Sequence, residues 1–338
     1  MLLGADALPV LLEIEGYDYF KVPAKEHFAL KNGVATWKNR AEQGEKSVPG
    51  GAFYVSMFGP PEEAAFLARA LLAAPGGKRA LLPEGEAALE RVGELKIEAN
   101  GNTKSVTGYA MTGLGFSPSL VWLDSDKNFF ARVSDWFTII PQGWESAVPA
   151  LLKAQEAADA ARSAELARKL AHKPSGTLVI QHARLFDAES ATARPNTTVV
   201  ISGNKIQQVG TDGRVQTPAG AEVINAAGET LLPGLWDMHV HLGDQSDALL
   251  HLAAGVTTVR DMANDSDRLL AMRQRFDQGV AVGPRILMAG VIEGPGPYAG
   301  PTKVLVDTPG QARAAVARYA ELGYPQIKIY SSVKPELV

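Results

Sequence analysis

The 338-residue chain contains no cysteine. That absence excludes disulfides, thiolate metal sites and a cysteine nucleophile, although it does not decide between a reducing and an oxidising compartment. A charge excess is lacking too: 33 Lys and Arg against 37 Asp and Glu leave a net charge of −4, with no sign of the basic stripe that nucleic acid requires. No run approaches the roughly 18 uncharged apolar residues of a membrane-spanning helix. The start, MLLGADALPVLLEIEG, lacks the basic segment and sustained apolar stretch of a signal peptide. G-x-S-x-G, G-x-x-x-x-G-K-[ST] and G-x-G-x-x-G are missing in any usable context, so serine-hydrolase, P-loop and Rossmann readings fall away. The expectation is a cytoplasmic protein binding neither nucleic acid nor membrane, with a periplasmic location left open should the N-terminus be truncated.

What is present divides into regions, and the length itself argues for two or three domains. Residues 1–142 alternate short apolar runs with tight turns, and Asn100-Gly101 between two such runs reads as a two-residue hairpin turn. One helix, near 61–74, interrupts this β-rich N-terminal domain, with proline at its start and Gly76-Gly77 just past its end. No metal, phosphate or nucleophile motif occurs there. Residues 143–174 are rich in Ala, Glu, Lys and Arg and predict a linking helix stopped by Pro174 and Gly176. Residues 175–233 return to alternation, with Gly203-Asn204 at a turn, and predict a small β-sandwich of antiparallel pairs.

From residue 234 the pattern becomes β then α then β. Strands are expected at 235–241, 256–261, 285–291 and 326–330, and helices near 246–254, 265–278 and 309–322. Short apolar strands alternating with longer helices indicate a parallel sheet covered on both faces. Gly255, Gly279 and Gly323 fall just after the helices, where a left-handed residue is wanted.

The chemistry concentrates in LLPGLWDMHVHLGD. His239 and His241, two apart on a strand, project from one face at its C-terminal end, the end that carries the chemistry in parallel α/β folds. Two neutral imidazoles one pleat apart can reach a common ion at about 2.0–2.1 Å, which suits zinc. Alone, a His-x-His pair is as compatible with a structural role; its place at a strand end after LPGLWDM favours metal. His182 reads as a strand residue and His251 as a surface or capping residue of a helix, while His27 and His172 carry no functional context. Arg260-Asp261 ends the second strand, either as an ion pair closing it or with Arg260 as a substrate contact. Tyr298, in the loop VIEGPGPYAGPT, is a further candidate substrate contact.

VINAAGETLLPGLWDMHVHLGD and AAGVTTVRDM resemble the amidohydrolase superfamily, the metal-dependent hydrolases built on a (β/α)8 barrel. The resemblance runs from about residue 176 to the end. It implies that His239 and His241 bind the more buried metal, that 175–233 is part of the family's accompanying sandwich, and that 234–338 is the first half of a TIM barrel. It further implies that Lys328, in GYPQIKIYSSVKPE, stands where a lysine is carboxylated by CO2 to bridge two metals. An ammonium paired with a carboxylate is the alternative for that lysine. One or two divalent ions, zinc first, are the implied cofactors, and a small amide, cyclic amide or dipeptide is the implied substrate.

A complete barrel of this kind needs eight strands and about 250 residues, whereas four strands are read here. The expectation is the N-terminal portion of a longer enzyme acting on C–N bonds through a metal-activated water, with its general base beyond Val338 and little hydrolysis by this chain alone. A homo-oligomer is compatible with the exposed edge of an open half-barrel. The rival expectation is a non-catalytic binding or assembly protein that uses the N-terminal β domain.

Overall fold

The computed structural model describes residues 1–18, 20–134, 137–296, 299 and 304–338. Its contacts divide the chain into two units, Met1–Arg162 and Ser163–Val338. The division falls inside the helix Val148–Leu170, which corresponds to the linking helix of the sequence reading and follows a short 3-10 turn, Glu145–Ala147.

The first unit holds two sheets. Leu2–Leu3, Pro9–Tyr17, Pro23–Lys31, Val34–Lys38 and Gln43–Ser47 form an antiparallel meander in chain order. Phe53–Tyr54, Lys78–Leu82, Glu86–Ala99, Asn102–Thr112, Ser119–Asp124 and Phe129–Ala131 form the second, also in chain order. Its first pair is parallel. Parallel neighbours need a crossover, and the helix Glu63–Ala73 supplies it, packing Ala65, Leu67, Ala68 and Leu71 against Phe53, Leu81, Met111 and Val121. The turn at Asn100-Gly101 has φ of 49° and 77°, the double positive φ of a tight hairpin.

The second unit opens with one five-stranded sheet in place of the expected sandwich of antiparallel pairs. Lys205–Thr211, Thr192–Ser202 and Thr177–Asp187 are antiparallel neighbours, but Glu222–Asn225 and Thr230–Leu231 join Thr177–Asp187 in parallel. Parallel and antiparallel strands share the same two-residue alternation, so the sequence pattern does not distinguish them. His182 lies at a break in the register of this strand, with φ of 62°.

A four-stranded parallel sheet follows, Leu235–Val240, Val256–Asp261, Arg285–Ile292 and Gln326–Ile329, in chain order. The helices Gln245–Ala253, Ser266–Asp277 and Pro309–Glu321 connect its strands. Each helix starts at a side-chain cap: Asp244 accepts from the Ser246 and Asp247 amides, Asp265 from Arg268, and Thr308 from Gln311 in a capping box with Pro309 behind it. Gly255, at φ 79°, turns the chain from the first helix into the second strand. One face of the sheet packs on the helices, where Val240, Leu242, Val259, Ile286 and Met288 meet Leu269, Met272, Ala315 and Tyr319.

Candidate metal centre

Which face each side chain takes follows from the strand register. Arg260 pairs with Leu287, Ala289 with Gln326, and Val291 with Lys328, and paired residues lie on one face. Val259 and Met288 belong to the helix-side core, so Arg260, Gln326 and Lys328 take the opposite, inner face. In the first strand Trp236 pairs with Thr258 and Asp237 with Val259, yet Val240 pairs with Asp261. Three steps on one strand match two on the other, so one residue is extra, which is a β-bulge. Alternation resumes after it with Val240 and Leu242 buried toward the helices. His239 and His241 are therefore brought to the inner face, both exposed, with ring centroids 5.3 Å apart and planes at 68°.

The His241 ring is oriented from behind. Its Nδ1 lies 2.8 Å from the Ala263 carbonyl oxygen. A carbonyl only accepts, so in the neutral ring Nδ1 carries the proton and Nε2 keeps its lone pair for a ligand. The Ala263 segment is held by Asp261, which has no solvent exposure. Asp261 accepts from the amides of Leu242 (2.8 Å) and Ala263 (3.2 Å) and from Nδ2 of Asn264 (3.0 Å). Asn264 Nδ2 also donates to the Leu242 carbonyl at 2.7 Å. Burial pushes the Asp261 carboxyl up, while Asn264 and the two amides pull it back. On the helix side, Asp237 lies 3.7 Å from Nε2 of His251, whose Nδ1 sits 2.7 Å from the Asp247 carbonyl.

Arg260 donates from Nε to the Met238 carbonyl at 2.7 Å and from Nη1 to Oε1 of Gln326 at 3.4 Å. Lys328 is half-buried, with Nζ 5.0 Å from the centroid of the Tyr330 ring. Tyr298 lies outside the described residues. The remaining histidines are engaged elsewhere: His27 with Glu13 at 2.6 Å, His172 with Glu222 at 2.8 Å, and His182 with Asp212 at 2.9 Å.

Two imidazoles on one face, one with its tautomer set by a backbone carbonyl, fit two positions of the coordination shell of a borderline divalent ion such as zinc. Among the described residues no group of three His, Cys, Asp or Glu gathers to hold an ion. The two histidines and Lys328 are legible in the sequence, whereas Asn264 and the buried bonds of Asp261 are not. Their partners, Leu242 and Ala263, come together only through the pairing of the first two strands.

No family model matches the chain. A dihydroorotase from Syntrophotalea carbinolica is 46% identical over 77 residues, which are 20% of this chain and 17% of that protein. Among solved structures, a Bifidobacterium longum protein assigned as a prolidase is 28% identical, with 48% of this chain and 42% of that one covered at a TM-score of 0.44. A Xaa-Pro dipeptidase with bound methionine in its active site is 26% identical, covering 45% of this chain and 46% of its own, at a TM-score of 0.38. The dihydroorotase match bears out the resemblance to the amidohydrolase superfamily. The chain spans less than half the length of each of these relatives.

Proposed function

From that likeness we propose that the second unit is the metal-holding part of a hydrolase acting on C–N bonds in a small amide, cyclic amide or dipeptide. The observation that carries the reading is the histidine pair on the inner face, with Nδ1 of His241 tied to Ala263. His239 and His241 hold the ion through ring nitrogens. A divalent ion held there would polarise a carbonyl and lower the pKa of water, so that it could lose a proton and supply hydroxide as the nucleophile near neutral pH.

This chain's own residues orient the His241 ring. Ala263 fixes the His241 tautomer, and Asp261 with Asn264 fixes Ala263. Lys328 is the third proposed ligand, from the fourth strand. As a neutral amine its Nζ adds to the carbon of CO2 and releases a proton, leaving a carbamate. The carbamate carries two oxygens where the ammonium offered only donors.

With two imidazoles and one lysine as donors, the chain alone is expected to retain metal but turn over little amide. Equilibrium dialysis of the full chain against zinc tests the first half: bound zinc should fall sharply in both His239→Ala and His241→Ala. Equal zinc in all three proteins would contradict the proposal. Rapid release of amine from dipeptides by this chain alone would contradict the second half.

A further inference from the structure

We infer that Arg260 is the positioning residue of this site: it holds the one-residue bulge that turns His239 and His241 from the helix side of the sheet to its inner face. The inference rests on the reading of the two histidines as ligands.

The register makes the case. Asp237 pairs with Val259 and Val240 with Asp261, so Met238 and His239 are passed over and together oppose Arg260. Had the strand continued without the extra residue, His239 and His241 would share the face of Asp237, because side chains two apart point the same way. That face is the helix side: Val259 packs among Leu269 and Met272, and Asp237 lies 3.7 Å from His251 of the first helix. The imidazoles would then enter an apolar core, and Val240 and Leu242 would face the inner side.

A bulge takes backbone out of the ladder, and a backbone carbonyl needs a donor. The Met238 carbonyl finds one in Nε of Arg260, the residue opposite the bulge, at 2.7 Å. A charged donor makes a stronger bond than a neutral amide. The guanidinium is braced at its other side by Gln326 on the fourth strand, reaching past the third. Arg260 therefore spends its donors on the scaffold of the histidine pair, which sets it apart from a residue that touches substrate.

The test uses the full chain with Arg260→Met, which keeps an unbranched stem and removes the donors, and Arg260→Lys, which keeps one charged donor. Two quantities are read. One is the nuclear Overhauser contact between the His239 and His241 rings in histidine-labelled, metal-free protein; the other is zinc affinity by competition with a chromophoric chelator. Arg260→Met should lose the inter-ring contact and bind zinc about tenfold or more weakly, with its far-ultraviolet dichroism retained. Arg260→Lys should recover most of both. Should Arg260→Met fail to fold, Arg260→Gln, whose amide reaches less far, carries the same two readouts with the same expected losses. A variant that keeps the ring contact and the affinity while only its unfolding midpoint falls would overturn the inference. Wild-type protein that shows the ring contact yet binds no zinc, or binds it unchanged in His239→Ala, overturns the ligand reading instead, and the ring contact still decides the role of Arg260.

Discussion

The Nδ1 of His241 rests 2.8 Å from the carbonyl oxygen of Ala263, and Ala263 is itself held by Asp261, whose other oxygen binds Asn264. Orientation of the ring is thus set two residues beyond the end of the second strand. Replacing Asn264 with Ala removes the donors to Asp261 and to the Leu242 carbonyl, which loosens the segment without touching either imidazole. Zinc affinity of Asn264→Ala should fall about tenfold, the scale of lost outer-shell hydrogen bonds. Chelator competition measures it; an unchanged affinity would show that the Ala263 carbonyl does not depend on Asn264.

In the first unit, Glu26 has no solvent exposure and accepts from the Tyr54 hydroxyl at 2.7 Å and from the amides of Met57 and Phe58 at 3.0 and 3.1 Å. Burial first, then this carboxylate, pushes the Tyr54 hydroxyl well above its ordinary pKa. Glu26→Ala strips the acceptor from three donors and should cost about 3 kcal/mol, the scale of buried polar groups left unpaired. Urea unfolding reads the loss. A change below about 1 kcal/mol would mean that water reaches those donors.

Much of the parallel sheet was legible in the sequence. The expected strand at 285–291 is Arg285–Ile292, and that at 326–330 is Gln326–Ile329. Apolar runs, side-chain caps and glycines after each helix are local signals, and local signals survive folding. The bulge was not legible, because it is a count between two strands: nothing within LWDMHV states that Arg260 will stand opposite both Met238 and His239. Glu26 reads in sequence as one charge in an alternating strand. Only the chain's return at Met57 and Phe58 turns it into a buried acceptor.

The pair of Asp212 and His182 sets an acid-side dependence. The Thr198 hydroxyl, then His182, holds the Asp212 carboxyl below the ordinary carboxylate range. A depressed folded-state pKa contributes stability that is present above the unfolded value and is lost as pH falls through the folded value. The gap in urea midpoint between the wild-type chain and Asp212→Asn should therefore be present above the ordinary carboxylate range and close as pH drops below about 4. A gap independent of pH over that range would assign the effect of the variant to packing.

Whether two imidazoles bind one ion is read most directly by zinc K-edge absorption of the zinc-loaded full chain. It should show two imidazole nitrogens at about 2.0–2.1 Å, with one lost in His239→Ala and one in His241→Ala. A shell of oxygen alone, or one unchanged by either substitution, would contradict the account.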